Sequence, residues 1–195
     1  MKRIALALVA VLGLTVSAFA QTETWQLDLP HSAAQFAVRH MGISTVRGTF
    51  TKVNGTVQYD PTDLSKTSLD VTIDAASVDS RVEMRDNDIR GAKLLDVQKY
   101  PTMTFKSKRV EPAGKGKLKV TGDLTLHGVT KEVVLDVEGP SEPIKDFQGN
   151  SRMGASATTT INRQDFGVSS FPSAIIANEI AITIDVELVK AAAGH

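Results

Sequence analysis

Asn178 to Val189, N-E-I-A-I-T-I-D-V-E-L-V, decides the fold. Ile180, Ile182, Ile184, Val186 and Leu188 alternate with Glu179, Ala181, Thr183, Asp185 and Glu187, which is the period of a β-strand with one oily and one wet face. The same alternation sets Leu69, Val71 and Ile73 against Asp70, Thr72 and Asp74. It also sets Leu118, Val120, Leu124 and Leu126 against Lys117, Lys119, Thr121, Asp123 and Thr125. Further strands are expected over 25–29, 35–41, 46–59 with a break at Asn54-Gly55, 102–110, 132–137 and 153–161. Turn residues separate them: Gly42, Asp60-Pro61, Pro112-Ala113-Gly114, His127-Gly128, and Gly139-Pro140 through Gly149. About eight long strands suggest a closed antiparallel sheet, because closure removes the edges that so many strands would expose.

Alternation leaves the inner face undecided, since an outer-membrane barrel alternates too. Such a barrel needs an apolar outer band and aromatic girdles. Here there are only seven Phe, two Tyr and one Trp, and acids and lysines occupy alternate positions of the best strands. An eight-stranded barrel has no room inside for rows of solvated charges. The apolar side chains are therefore expected to point inward.

Ser77 to Phe105 interrupts this pattern. Ser80 and Glu83 have capping-box spacing, which predicts a helix from about Arg81 with Val82, Ile89 and Ala92 on one face. Gly91 should end it, a short turn should follow through Leu94, Leu95 and Val97, and Tyr100-Pro101 should open the next strand. This segment is expected to cover one end of the barrel as a mobile lid.

Lys2 and Arg3 before an apolar run from Ile4 to Val16, then Ala18-Phe19-Ala20, read as a secretory signal peptide cleaved after Ala20. Residues 21–195, about 175 of them, are then expected to form one exported domain with no transmembrane segment. There is no cysteine, so neither disulfide nor lipobox attachment is available. Removing Lys2 and Arg3 leaves 22 − 2 = 20 basic against 22 acidic side chains, a balance that disfavours nucleic acid as a partner.

Chemical motifs are sparse. Asp165-Phe166-Gly167 spells a kinase magnesium motif without its companions, and Asn54-Gly55-Thr56 reads more simply as a turn or bulge than as a glycosylation site. No Gly-x-Ser-x-Gly occurs. His31, His40 and His127 are the candidates for acid–base or metal work, yet their spacing matches no metal motif, and His127-Gly128 reads as a hairpin turn. Arg85-Asp86 and Arg163 with Asp165 are either solvated charge or groups that line the barrel mouth and tie the helix to the rim.

Several blocks resemble the YceI family when taken together and in order. They are His31-Ser32 with Phe36, His40, Gly42, Gly48 and Phe50; Arg85-Asp86; Tyr100-Pro101 with Phe105; Gly122 to Lys131; and Ile161 to Gly167. The resemblance implies a mainly β, lipocalin-like antiparallel barrel of eight strands with a helical insertion, secreted to the periplasm. It further implies homodimers, no catalytic activity, and a polyisoprenoid or similar long-chain lipid, isoprenoid quinones included, in the lumen. Asn87-Asp88 and Leu94-Leu95 stand where the family often shows a histidine and an aromatic, so no role for that histidine is carried over.

The expected ligand-binding set is Phe36, Val38, Val71, Ile73, Phe105, Leu124, Ile182 and Ile184 in the lumen. Val82, Ile89 and Phe166 add apolar cover, and His40, Arg85, Asp86 and Arg163 supply polar points at the mouth. Neither cofactor nor metal is expected. The alternatives are a small periplasmic histidine-dependent metal protein or enzyme, and an interaction module whose barrel is filled by its own side chains.

Overall fold

A computed structural model describes residues 22–192. The proposed signal peptide lies outside the described residues. Twelve strands form in chain order: β1 (Glu23–Leu27), β2 (Ala33–His40), β3 (Ser44–Phe50), β4 (Val53–Tyr59), β5 (Ser68–Asp74), β6 (Val78–Asp79), β7 (Thr102–Pro112), β8 (Lys117–Leu126), β9 (Val129–Glu138), β10 (Ile144–Lys145), β11 (Ser151–Asn162) and β12 (Ile176–Lys190). One helix, α1 (Glu83–Arg90), falls between β6 and β7.

Eight of these strands close into an antiparallel barrel, β1-β4-β5-β7-β8-β9-β11-β12, sealed by the β11–β12 ladder from Asn162↔Glu179 to Arg152↔Val189. β2, followed by β3 and β6, pairs with β12 on the same edge as β1 and carries the wall on beyond it, with Phe36 and Phe50 on the lumen. β12 is long enough to pair β2 along Ile176 to Asp185 and β1 along Leu188 to Lys190. The outer wall carries cross-strand ion pairs, Lys119–Asp136 at 2.8 Å and Lys108–Asp123 at 2.7 Å among them. Exposed pairs of this kind add only about 0–1 kcal/mol each. Polar side chains face water and apolar ones face inward, as the alternation requires.

The apolar interior stacks in three layers, readable along β11. Met153 belongs with Trp25, Val57 and Leu188; Ala157 with Phe105, Val110, Val120 and Leu135; Ile161 with Ala75, Met103, Leu126 and Phe166. Four residues of strand separate successive layers, about 13 Å at ~3.3 Å per residue.

Two local expectations are corrected. The 46–59 strand breaks at Thr51-Lys52, not at Asn54-Gly55. Gly55 lies inside β4 because β5 passes so close that a Cβ would stand 2.6 Å from the Asp70 carbonyl oxygen. The helix starts at Glu83, later than expected, with Val82 at the N-cap and no side-chain cap. Ser80 does not cap it. The Ser80 amide and hydroxyl both donate to the Asp86 carboxylate, and Arg81 takes φ +66° to permit the turn. Among the described residues no helix is long and apolar enough to cross a membrane.

Candidate functional site

The closed ring leaves a cavity of about 580 Å³ running through the apolar interior, within the ~300–1,000 Å³ usual for ligand sites. Its floor is Val57, Met153 and Leu188, which pack on Trp25, 1% exposed, behind them. Its exposed lining residues at the other end, Arg39, Asp88 and Ile175, come from β2, α1 and the segment before β12. The mouth is therefore at the α1 end.

Two features keep the lumen open. The inward positions of β11 are small, since Ala155, Ala157 and Thr159 line the cavity between Met153 and Ile161. In addition, Phe36 and Phe105 lie against glycines on neighbouring strands. A Cβ on Gly48 would come within 2.5 Å of Phe36 Cζ, and one on Gly122 within 2.5 Å of Phe105 Cζ. Glycine there lets each ring lie flat on the wall instead of crossing the lumen.

Phe36, Val38, His40, Val71, Ile73, Arg85, Ile89, Phe105, Leu124, Arg163, Ile182 and Ile184 all line the cavity. Three expected residues do not. Val82 is 42% exposed, a consequence of the late helix start. Asp86 is buried against Ser80. Phe166 leaves the lumen because the 3-10 turn Arg163–Phe166 carries it into the layer of Met103, Leu126 and Ile161. The apolar underside of the lid is Ile89 with Leu94 and Leu95, all on the cavity, whereas Ala92 is exposed.

Among the described residues Arg85 and Asp86 bind neither each other nor the barrel strands; both hold Ser80 in the turn that leads into α1. Arg85 Nε donates to Ser80 Oγ at 2.7 Å and its Nη2 to the Ser80 carbonyl at 2.6 Å, while the Ser80 hydroxyl donates to Asp86. Arg90 adds bonds to the carbonyls of Ala76 at 2.9 Å and Val78 at 2.8 Å. Among the described residues Arg163 pairs with no carboxylate. It is 3% exposed and its guanidinium donates to the carbonyls of Ala177, Val168, Phe171 and Ile176, pinning the segment that borders the mouth. Burial pushes its pKa down, yet a guanidinium in this cage stays charged.

The histidines do not converge. His31 and His40 sit at opposite ends of β2, more than about 20 Å apart at ~3.3 Å per residue. His127 is the hairpin turn between β8 and β9, with φ +51° followed by Gly128 at +74°, and its ring centroid lies 4.6 Å from that of Tyr100. Among the described residues the one cluster with metal-type donors is Asp28, His31 and Glu187. A cation already holds it: Arg152 donates to Asp28, to Glu187 at 3.2 Å and to Asp146 at 2.8 Å. The Arg152 hydrogen bond, with that of His31, holds the Asp28 carboxyl below the usual range. Arg152 and Asn150 hold Asp146 down likewise.

The lumen residues were legible as inward positions of alternating strands. The small β11 positions and the carbonyl cage of Arg163 are not marked by that alternation. The run Ala155-Ser156-Ala157-Thr158-Thr159-Thr160 beside an isoleucine-rich partner was the available signal for the first.

Comparison with known proteins bears on this geometry. The family description YceI-like domain matches residues 25–188. A UPF0312 protein of Vibrio cholerae is 39% identical over 166 residues, 84% of this chain and 86% of its own. The YceI protein of Campylobacter jejuni superposes with a TM-score of 0.71 at 34% identity, covering 79% of this chain and 90% of that one. A domain of Saccharophagus degradans described as polyisoprenoid-binding and implicated in plant cell wall breakdown shares the fold, with a TM-score of 0.65 at 15% identity over 86% of this chain and 98% of its own.

Proposed function

The chain belongs to the YceI family, and from that premise we propose that it is a lipid-binding protein, not an enzyme, which carries or stores a polyisoprenoid or similar long-chain amphiphile in its barrel. The observation that carries this reading is the cavity itself, walled by aliphatic and phenyl side chains, floored by Val57, Met153 and Leu188 and open beside α1. An apolar wall recognises length and width, not hydrogen-bonding pattern, which suits a hydrocarbon chain better than a sugar or nucleotide.

Each CH₂ buried contributes roughly 0.8 kcal/mol, so a chain of several isoprene units would on paper pass the ceiling of about −20 kcal/mol for real affinities. Ordering the flexible chain returns much of that sum. Chain length is then selected by the depth from the mouth to that floor, and the headgroup by the few polar groups at the mouth, His40 and Arg85 foremost. Lys2 to Ala20 direct the chain to the periplasm in this reading, checked by cell fractionation and N-terminal sequencing of the mature protein.

The test is mass spectrometry of an organic extract of the purified protein, followed by rebinding to the delipidated chain. A co-purifying long-chain lipid and saturable rebinding are expected. Extracts repeatedly free of such lipid, with no saturable binding by the folded chain, would remove the basis of the proposal.

A further inference from the structure

The β2–β3 hairpin continues the wall past β1 along the same edge of β12 and ends in an exposed apolar tip beside the mouth. Ile43 is 80% exposed and Met41 57%, although the outer wall elsewhere is laced with ion pairs. The tip is rigid. The Ile43 amide donates to the His40 carbonyl at 3.1 Å, and Arg39 donates to Thr45 Oγ1 at 3.1 Å and to the Gly42 carbonyl. It is also joined to the mouth: the Met41 amide donates to the Ile175 carbonyl at 2.8 Å, and Ile175 is itself both solvent-exposed and on the cavity wall. Apolar surface thus runs from the tip over Ile175 into the lumen.

Charge distinguishes this hairpin as well. Leu29 to Tyr59 contains no Asp or Glu, while it carries Arg39, Arg47 and Lys52, in a chain with 22 acids and 22 bases overall. Among the described residues Arg39 and Arg47 enter none of the ion pairs that cover the wall. Exposed apolar side chains flanked by unpaired arginines, beside an apolar opening, match the interface of an anionic bilayer, which takes apolar groups at the acyl boundary and cations at its headgroups.

We infer that the β2–β3 hairpin docks the barrel on an anionic membrane surface, with Met41 and Ile43 entering the interface so that the mouth beside Ile175 opens onto lipid. The inference rests on the lipid-carrier reading for its purpose, but its test does not require any ligand in the lumen.

The experiment is flotation of the purified chain with vesicles of phosphatidylcholine alone and of phosphatidylcholine with phosphatidylglycerol, at low and high salt. Binding to the phosphatidylglycerol vesicles, weakened by salt, is expected. Met41→Ser/Ile43→Ser should reduce it by about tenfold or more, since most of the apolar contact is removed. Arg47→Gln should cost a few-fold on anionic vesicles and nothing on neutral ones. Both variants change exposed side chains and should melt like wild type, which is checked by circular dichroism. Wild type that binds neither vesicle at low salt, or a Met41→Ser/Ile43→Ser variant that binds as well as wild type, overturns the assignment. So does sedimentation showing that the double substitution splits a dimer, because the occupant would then be a second copy of the chain. If extracts contain no lipid while vesicle binding and its loss hold, the docking surface stands and the carrier reading falls.

Discussion

Ala157→Phe tests whether a ligand occupies the full depth of the lumen. Ala157 lies in the middle layer, opposite Ile184 on one side and Val137 on the other, and its methyl faces the cavity. A phenyl ring there projects into space that is already open, so the backbone need not move and the cost of overpacking, usually about 1–3 kcal/mol in a filled core, should be largely avoided. The ring would close the passage between the Ile161 layer and the Met153 layer, which lie about 13 Å to either side of it along β11. A chain reaching toward Trp25 must then withdraw from the lower half. If only three CH₂ equivalents lose their burial, the loss is about 2.4 kcal/mol, or about fiftyfold in Kd. A short isoprenoid that ends above Ala157 should lose far less. Titration of the delipidated wild type and variant with farnesol and with a long polyprenol, read by calorimetry, therefore should show selectivity moving from the long chain to the short one. Equal affinity of both proteins for the long polyprenol, with matched circular dichroism spectra, would refute the placement of the chain below the middle layer.

Gly48→Ala sets a methyl within 2.5 Å of Phe36 Cζ, so the ring must swing into the lumen; a several-fold weaker affinity for the long polyprenol is expected from the same titration. Arg163→Met strips four backbone carbonyls of their donor, and with about 1–3 kcal/mol for each buried polar group left unpaired a loss of at least ~3 kcal/mol should appear in urea denaturation. Arg152→Gln tests the acid behaviour of the Asp28–Asp146 cluster, whose carboxyls are held low in the folded chain. Their stabilisation is fully present above the ordinary carboxylate pKa of about 3.9 and is lost as pH falls toward the folded values. The variant should be less stable than wild type at neutral pH and lose less on acidification, and an unchanged pH profile would contradict the assignment. Hydrogen exchange on the delipidated protein should show residues 81–99 exchanging faster than β12, because a lid that admits lipid belongs to the less stable part of the fold; equal protection would exclude a mobile lid.

The barrel was legible wherever one strand face is wet and the other dry, because a one-residue slip would reverse every side chain. β12 is the clearest case: Ile182 and Ile184 face the cavity while Thr183 and Asp185 are exposed. Local signals failed where a longer-range contact outbid them. Ser80 and Glu83 have the spacing of a cap, but the serine is taken by Asp86 and Arg85. Asn54-Gly55 spells a turn, but the glycine is spent on the approach of β5. Arg163 suggested an ion pair with Asp165, yet its partners are carbonyls of 168–177, and a backbone acceptor leaves no trace in residue identity.

A hollow barrel and a filled one share the same alternation, so the distinction lies in volume. Eight strands enclose an interior that ordinary side chains can just fill, and leucine-sized residues at Ala155, Ala157 and Thr159 would narrow it at mid-depth. At about 24 cal/mol per Å³, leaving 580 Å³ unpacked forgoes on the order of 14 kcal/mol, comparable to the whole net stability of a typical domain. Water entering at the mouth recovers little of that against aliphatic walls. The chain nevertheless holds the space open twice over, with short residues along β11 and with Gly48 and Gly122 beneath the rings of Phe36 and Phe105. On the carrier reading proposed above, an occupant restores the missing contacts, and a hydrocarbon chain with a small polar head would match aliphatic walls with a polar rim at one end.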